Sequence, residues 1–440
     1  MNSIAARYRT FVLAGVGFLT TTIGFVSAAD WPGWRGPTGL GYSDEKDLPL
    51  KWNGKTGENI IWKSPIAGYG PKADFSSPGH SCPIVWHDRI FITTAVWPAE
   101  MTDEKERRKV IAAQHVVCYR TTDGKQLWDT VIPPGSITNN NVYMGYAVST
   151  PATDGKLVFA LFGSGIAAAL DYDGKIVWRE ELPGLKNPDG GFGTSPVLYE
   201  DLVIVPGFGK QGLRALDKQT GKMKWEQKID PKKPIQNNVH STPALIRIND
   251  KIQLIHYAGG VQGLDPATGE LLWYCRGPSA SWASPAYGKG LLYVDEGRGG
   301  KIGSAVDATG MGDVSKTHVK WKTEVAGAAG TSSVIVGDYV YRICDQGLIR
   351  CWNINTGEVE FEERMQKITP SASPIATADN RIYFASAKRT VVLKAGNAFE
   401  VLATNDLETD GGSQDYTTPA VSDGRFYFKG RSYLWCVGTK

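Results

Sequence analysis

One short pattern recurs along this chain and restricts what it can fold into. "LDPATGELLW", Leu264 to Trp273, reads as a strand end, a tight turn and a second strand that finishes on tryptophan. The Asp caps the turn, Thr-Gly supplies a positive-φ corner, and an apolar run restarts behind it. "ALDKQTGKMKW", "ALDYDGKIVW" and "YRTTDGKQLW" repeat it, ending on Trp225, Trp178 and Trp128, and in each the Trp falls four residues after the Gly. A second marker runs out of phase with the first. "SCPIV", "STPAT", "TSPVL", "STPAL", "ASPAY", "ASPIA" and "TTPAV" pair a small polar residue with Pro and then enter a strand, at Pro83, Pro151, Pro196, Pro243, Pro285, Pro374 and Pro419. "TSSVI", with Ser333 in the proline place, makes eight. Successive markers lie 41 to 48 residues apart, except for 68 across the first interval.

That period, with four short strands in each unit, specifies a β-propeller. In one unit "TSPVLYED" is strand A, "LVIVPGFG" strand B, "GLRALDKQTG" strand C and "KMKWEQKI" strand D. The A–B and C–D turns are short hairpins, whereas the B–C and D–A connections are longer and varied. One face of the ring is therefore expected to be clipped short and the other to carry the loops. The eighth unit, "TTPAVSDGRFYFKGRSYLWCVGTK", runs out after its third strand, while "WNGKTGENIIWKSPI" near the N-terminus has a Trp-bearing strand and no blade of its own. Residues 58–66 are expected to complete the last blade and close the ring, which removes two open sheet edges. The expected fold is all-β: an eight-bladed propeller of four-stranded antiparallel blades. Seven is the alternative, if the seventh unit ("VVLKAGNAFEVL", without Trp) is not a blade.

Trp128, Trp178, Trp225, Trp273 and Trp321 share one strand-D position, with Phe361 replacing Trp in the sixth blade. A large ring repeated once per blade suits packing between neighbouring sheets, since every pair needs the same filler. The strand before each turn carries a small residue two places ahead of the Asp, at Ala169, Ala215, Gly263 and Ala305. Cys118 and Cys351 occupy that slot, and Cys82 stands in for a recurring Ser or Thr. Six cysteines in an exported chain would normally raise disulfides, but the slot reads Cys118 and Cys351 as buried small hydrophobes. CxxC, haem-attachment, nucleophile, P-loop, zinc and EF-hand patterns are all missing.

Residues 1–29 read as a secretory signal peptide: Arg7 and Arg9 precede "FVLAGVGFLTTTIGFV", and "SAA" offers a cleavage site. No Cys stands at that site, so a lipoprotein anchor is not expected, and no later run is long enough to span a bilayer. Residues 30–440 are expected to form a single domain, exported to the periplasm or beyond as a monomer. A net charge of +3 without a polybasic block excludes nucleic acid and anionic membrane as natural partners.

The (A/G)-L-D-x-x-T-G-x-x-x-W pattern resembles the pyrroloquinoline-quinone-type propeller repeat over essentially all of residues 52–440. The "WPGWRGPTGLG" leader and "NIIWKSPI" also resemble those of secreted propellers of this type with no assigned chemistry. One branch of that superfamily comprises quinoprotein alcohol and sugar dehydrogenases, which bind the quinone and a calcium ion on the funnel axis and carry a disulfide between adjacent cysteines. Here the closest cysteines, Cys344 and Cys351, are seven apart. The other branch is BamB-like, a cofactor-free propeller of the outer-membrane β-barrel assembly machinery. The resemblance to this second branch implies a non-catalytic binding scaffold in the cell envelope, with a partner protein or glycan and no cofactor. A quinone-dependent dehydrogenase using calcium is the alternative, and a propeller enzyme acting on polysaccharide the third reading.

A site is expected where the D–A and B–C loops gather around the channel. The residue three before each blade marker should sit at equivalent points on that mouth: His80, Val148, Gly193, His240, Trp282, Gly330, Ser371 and Tyr416. Neighbouring loops add Asn139, Asn140, Asn141, Tyr143, Asn237 and Asn238, and the B–C loops add Lys210, Glu296, Arg298, Asp345, Lys388 and Arg431. His80, His240, Trp282, Tyr416, Asn238 and Arg298 are the ligand-binding candidates. Aromatic rings beside amides suit sugars, and inward Lys and Arg suit an anionic ligand. The same residues could instead plug and solvate the mouth. His80 and His240 lie three blades apart, so no metal site is expected between them. The first blade's insertion, Trp97 to His115, reads as a short helix by the loop face, either a lid or a solvated excursion.

Overall fold

The structure, a computed structural model, describes residues 30–439 apart from 67–78, 99, 102, 138–144, 183–192, 208–211, 228–239, 258–259, 278–281, 297–300, 327–329, 369, 371, 387–388 and 409–416. The 1–29 leader expectation lies outside these residues.

Eight sheets follow one another around a ring, each built on four antiparallel strands A to D that run in chain order from the axis outward in all but the last blade. Blade 3 is representative: Val197–Tyr199, Leu202–Val205, Arg214–Asp217 and Met223–Glu226. The last blade is built from Ala420–Ser422, Arg425–Lys429 and Tyr433–Gly438, and its outer strand is Ile60–Pro65 from the other end of the chain. Lys63 stands opposite Trp435, so the ring closes as the spacing predicts. The seventh unit is a true blade, Ile375–Thr377 through Val401–Asp406, which settles the count at eight.

The small slot and the large ring prove to be one device. In strand D, Trp128, Trp178, Trp225, Trp273 and Trp321 stand opposite Cys118, Ala169, Ala215, Gly263 and Ala305 of strand C. Phe361 faces Cys351 and Trp62 faces Cys436. Blade 7 exchanges the sizes, with Val392 opposite Ala403. A register shift precedes this ring position in all eight blades, at Val177 in blade 2. Such a bulge turns the strand and aims the ring toward the neighbouring blade.

There the ring lands on a turn glycine. A Cβ on Gly221 would meet the indole of Trp178 at 2.7 Å, and its φ of +71° already favours glycine. The indole N–H then donates to a carbonyl of the same turn: Trp178 to Lys218 at 2.7 Å, Trp62 to Thr121 at 2.8 Å and Trp321 to Ile354 at 2.7 Å. Trp273 departs from this. Its N–H goes to Gln253 Oε1 of its own blade at 2.7 Å, because the next blade's C–D turn is expanded. That expanded turn lays Gly312–Asp313 in parallel along Leu271–Arg276 and covers the outer edge of blade 4.

The second marker has its own reason. In six of the eight blades the backbone N–H of the residue before the Pro position donates to the hydroxyl at the same place in the next blade: Cys82 to Thr150, Thr150 to Ser195, Ser195 to Thr242, Ser284 to Ser332, Ser332 to Ser373 and Ser373 to Thr418, all at 2.9–3.0 Å. Innermost strands would otherwise leave these amides unsatisfied around the channel. All six cysteines are buried and free, as the slot argument requires for Cys118 and Cys351.

The leader does more than its sequence suggests. Trp31 bridges Val85 of blade 1, Thr153 of blade 2 donates to the Pro32 carbonyl at 2.8 Å, and Tyr42–Ser43 pairs in parallel with Ile375–Thr377 of blade 7. Asp30 and Glu45 accept from the A–B turn amides of His87 and Gly424 in blades 1 and 8, and the Asp47 amide donates to Asp379 in the A–B turn of blade 7. Residues 30–47 thus cross the channel at its tight-turn end. The insertion after Trp97 holds one helical turn, Glu104–Arg107, capped by Asp103; His115 already belongs to strand C. Its buried Trp97 packs on Tyr146 with ring centroids 5.9 Å apart, so the insertion is anchored to blade 2.

Candidate functional site

The channel has two differently built ends. At the loop end, the positions three before the marker do fall in a row where they are described. Gly193, His240, Trp282 and Gly330 come from blades 3, 4, 5 and 6. His240 and Trp282 stack at 4.7 Å between centroids with 16° between planes. A Cβ on Gly193 would lie 3.3 Å from His240, and one on Gly330 would lie 3.5 Å from Trp282. Two glycines therefore flank the stacked pair, where bulkier residues would crowd it. Both rings are half-buried, and burial pulls His240 down to about 4, so its imidazole is neutral at neutral pH. A flat platform of one neutral imidazole and one indole offers π-faces and polar ring edges but no fixed charge.

His80 is half-buried in blade 1. Val148 is half-buried at the equivalent point of blade 2. Tyr416, Asn238 and Arg298 lie outside the described residues, as do Asn139, Asn140, Asn141, Tyr143, Asn237, Lys210, Ser371 and Lys388. Glu296 accepts from the amides of Lys301 and Ile302 at 2.9 and 3.1 Å, so it closes its own loop rather than facing a ligand. Asp345 opens a short 3₁₀ turn, and Arg431 is half-buried beside the end of strand B in blade 8.

Buried cations escaped the sequence reading, Lys429 and Arg35 among them. Lys429 ends strand B of blade 8 with no exposure, and its Nζ donates to the Gly79 carbonyl at 2.7 Å. Burial lowers its pKa to about 7, against a smaller opposing effect of Cys82. Arg35 rises from the leader into the channel. Its guanidinium donates to the carbonyls of Leu40 and Ser333 at 2.8 and 2.6 Å and reaches that of Pro285 at 3.4 Å. Burial lowers it to about 9, so it keeps its charge, held by carbonyl dipoles of blades 5 and 6. Trp34 donates beside it to Ser284 Oγ at 2.9 Å. An Arg among Trp, Gly and Pro with no acidic neighbour was the one available signal.

The quinone-and-calcium alternative can be tested on these residues. Among the described residues no three His, Cys, Asp or Glu side chains converge on a point. Each cysteine is buried and unbridged, and Cys118, Cys351 and Cys436 sit in packing slots opposite aromatic rings. Arg35 and Trp34 of the leader reach into the channel. The described residues do not fit that group. Nor is any described helix long and apolar enough to cross a membrane.

The fold defines the class: an all-β, closed eight-bladed propeller. Within that class, part of the chain is similar to BamB. A family model described as outer membrane protein assembly factor BamB matches residues 112–281. BamB of Legionella pneumophila is 25% identical over 186 residues, 41% of this chain and 46% of that protein. Tetrathionate hydrolase of Acidithiobacillus ferrooxidans is 27% identical over 246 residues, 50% of this chain and 44% of that protein. The chain thus spans less than half the length of the curated relatives it matches. Among solved structures, BamB from Moraxella catarrhalis superposes with a TM-score of 0.58 at 14% identity, covering 87% of this chain and 97% of that one. Quinohemoprotein alcohol dehydrogenase from Comamonas testosteroni gives 0.61 at 14% identity, covering 94% and 81%. At such identities these likenesses speak for the fold alone.

Proposed function

We propose that this protein is an exported binding scaffold of the cell envelope, BamB-like in role, that takes a partner protein or a glycan at the loop end of its channel. The observation that carries the reading is the stacked His240–Trp282 pair between Gly193 and Gly330. Rings held at equivalent points of adjacent blades form a contact surface that a packing role inside the blades does not need, and Trp is a favoured anchor in interfaces and sugar sites. The match of residues 112–281 to the BamB description supports the scaffold reading. The leader leaves the loop end as the way into the channel for a ligand of this site.

Pull-down from envelope extract and a glycan array, run in parallel on wild type, His240→Ala and Trp282→Ala, test the reading. A shared signal should weaken about 5- to 100-fold in both variants with the fold intact. Binding should not change between pH 5.5 and 8, because the imidazole titrates only near 4. Retention of full binding by both variants would remove the site.

A further inference from the structure

The leader shows how the inner edges of this ring can be used. In each two-residue A–B hairpin the residue beside the turn exchanges hydrogen bonds with its partner, so the residue before it turns its N–H and C=O toward the channel. In blade 1 that residue is Val85, opposite Ile90, and its amide and carbonyl both bond to Trp31, at 2.9 and 2.8 Å. The equivalent Thr153 and Ala376 donate to Pro32 and Gly41, each at 2.8 Å. Leu198, opposite Val203, holds the same ladder position in blade 3; in the longer hairpin of blade 4 Leu245, opposite Leu254, lies two residues further from the turn and faces the same way, each being the second residue after its blade marker. Among the described residues no backbone group pairs with either on the channel side.

Both lie on a groove at the tight-turn end. Leu198 and Leu245 form one wall with Pro196, Val197, Pro243 and Ala244, and the leader from Pro32 to Gly39 forms the other. The cavity holds about 150 Å³ and opens past the exposed Pro37 and Thr38. A space of that size takes one benzene-sized apolar group. The sequence reading left this face flat, because the hairpins alone offer little concavity; the leader supplies the missing wall.

We propose that blades 3 and 4 bind an extended peptide of a partner polypeptide here, by strand addition at Leu198 or Leu245 with one ring-sized apolar side chain in the groove. The occupant is argued from continuity: the chain's own leader makes this contact at the same ladder position in blades 1, 2 and 7. Main-chain bonds give affinity in such strand addition, and the pocket selects one side chain. This site is separate from the His240–Trp282 platform and does not depend on it.

The probe is a blocked, fluorophore-labelled Thr-Val-Phe-Val-Thr peptide, titrated against the full exported chain by fluorescence anisotropy. Binding should weaken at least about tenfold when alternate peptide amides are N-methylated, since the side chains are unchanged and the ladder bonds are lost. It should weaken likewise in Leu198→Pro/Leu245→Pro, where proline is tolerated because the lost N–H faces away from its own sheet. Gly33→Leu should block the groove without altering the edge strands of blades 3 and 4: a Cβ there meets only Ala152 of blade 2, at 3.8 Å. His240→Ala should leave the titration unchanged, which separates this site from the loop end. No binding at millimolar peptide, equal binding of the N-methylated peptide, or loss in His240→Ala would each overturn the proposal.

Discussion

Trp178→Ala is the perturbation that best tests how this ring holds together. Trp178 is 8% exposed, faces Ala169 across its own blade, covers Gly221 of the next, and donates to the Lys218 carbonyl at 2.7 Å. A buried aromatic of this kind hides roughly 150–250 Å². At about 25 cal/mol per Å² that is roughly 4–6 kcal/mol, and truncations to Ala in cores cost about 3–5 kcal/mol. Taking about 4 kcal/mol and an unfolding entropy of about 2.1 cal/mol/K per residue over about 400 residues, Tm should fall by about 5 °C if the ring melts as one unit. Trp178→Phe keeps a ring and loses the N–H bond, so it should cost about 1–2 kcal/mol. The assays are scanning calorimetry and hydrogen exchange. Protection should drop in blades 2 and 3 together, because the side chain belongs to one and the turn to the other. The neighbouring Val177, 46% exposed in the bulge, is the control and should tolerate Ala. A Tm within 1 °C of wild type for Trp178→Ala, or loosening confined to blade 2, would refute the docking argument.

Two further outcomes are expected. Thiol titration without reductant should count no reactive cysteine in the native protein and six after unfolding, since all six are buried and unbridged; a mass-detected disulfide would contradict this. Lys429 should leave a pH signature. Its folded pKa, about 7, lies below the ordinary 10.5, so between those values the unfolded chain holds a proton that the native one lacks. Its contribution to native stability therefore falls as pH drops from 10.5 to 7 and levels off below. Urea midpoints of wild type and Lys429→Met should converge near pH 10.5 and separate toward neutrality, with the variant the more stable; parallel curves would show that Lys429 is charged in the fold.

Strand-level order was legible because each blade solves the same packing problem with the same residues. The Trp, the turn glycine and the small residue opposite them are three parts of one contact, so their spacing repeats. Cys118 and Cys351 could be placed by that spacing alone. Trp273 shows the limit: its sequence matches the other repeats, yet its indole turns back to Gln253 because a neighbouring turn, 40 residues later, is longer. On the candidate site, the row rule brought His240 beside Trp282 without stating that they stack, and it gave no reason to expect Arg35 or Lys429 inside.

What the sequence by itself determined was the period, the strand order within a blade and the strand that closes the ring; the seventh unit, without Trp, was counted as a blade only by the structure. These follow from local turn chemistry and side-chain size, which act within a few residues. The tertiary structure alone decided where the leader goes, which inner edges it satisfies and which it leaves to the groove at Leu198 and Leu245. Those contacts join residues 30–47 to blades far along the chain, by backbone groups that every residue possesses. A hydrogen bond between main-chain amides leaves no mark on which side chains are chosen, so only the folded ring could show it.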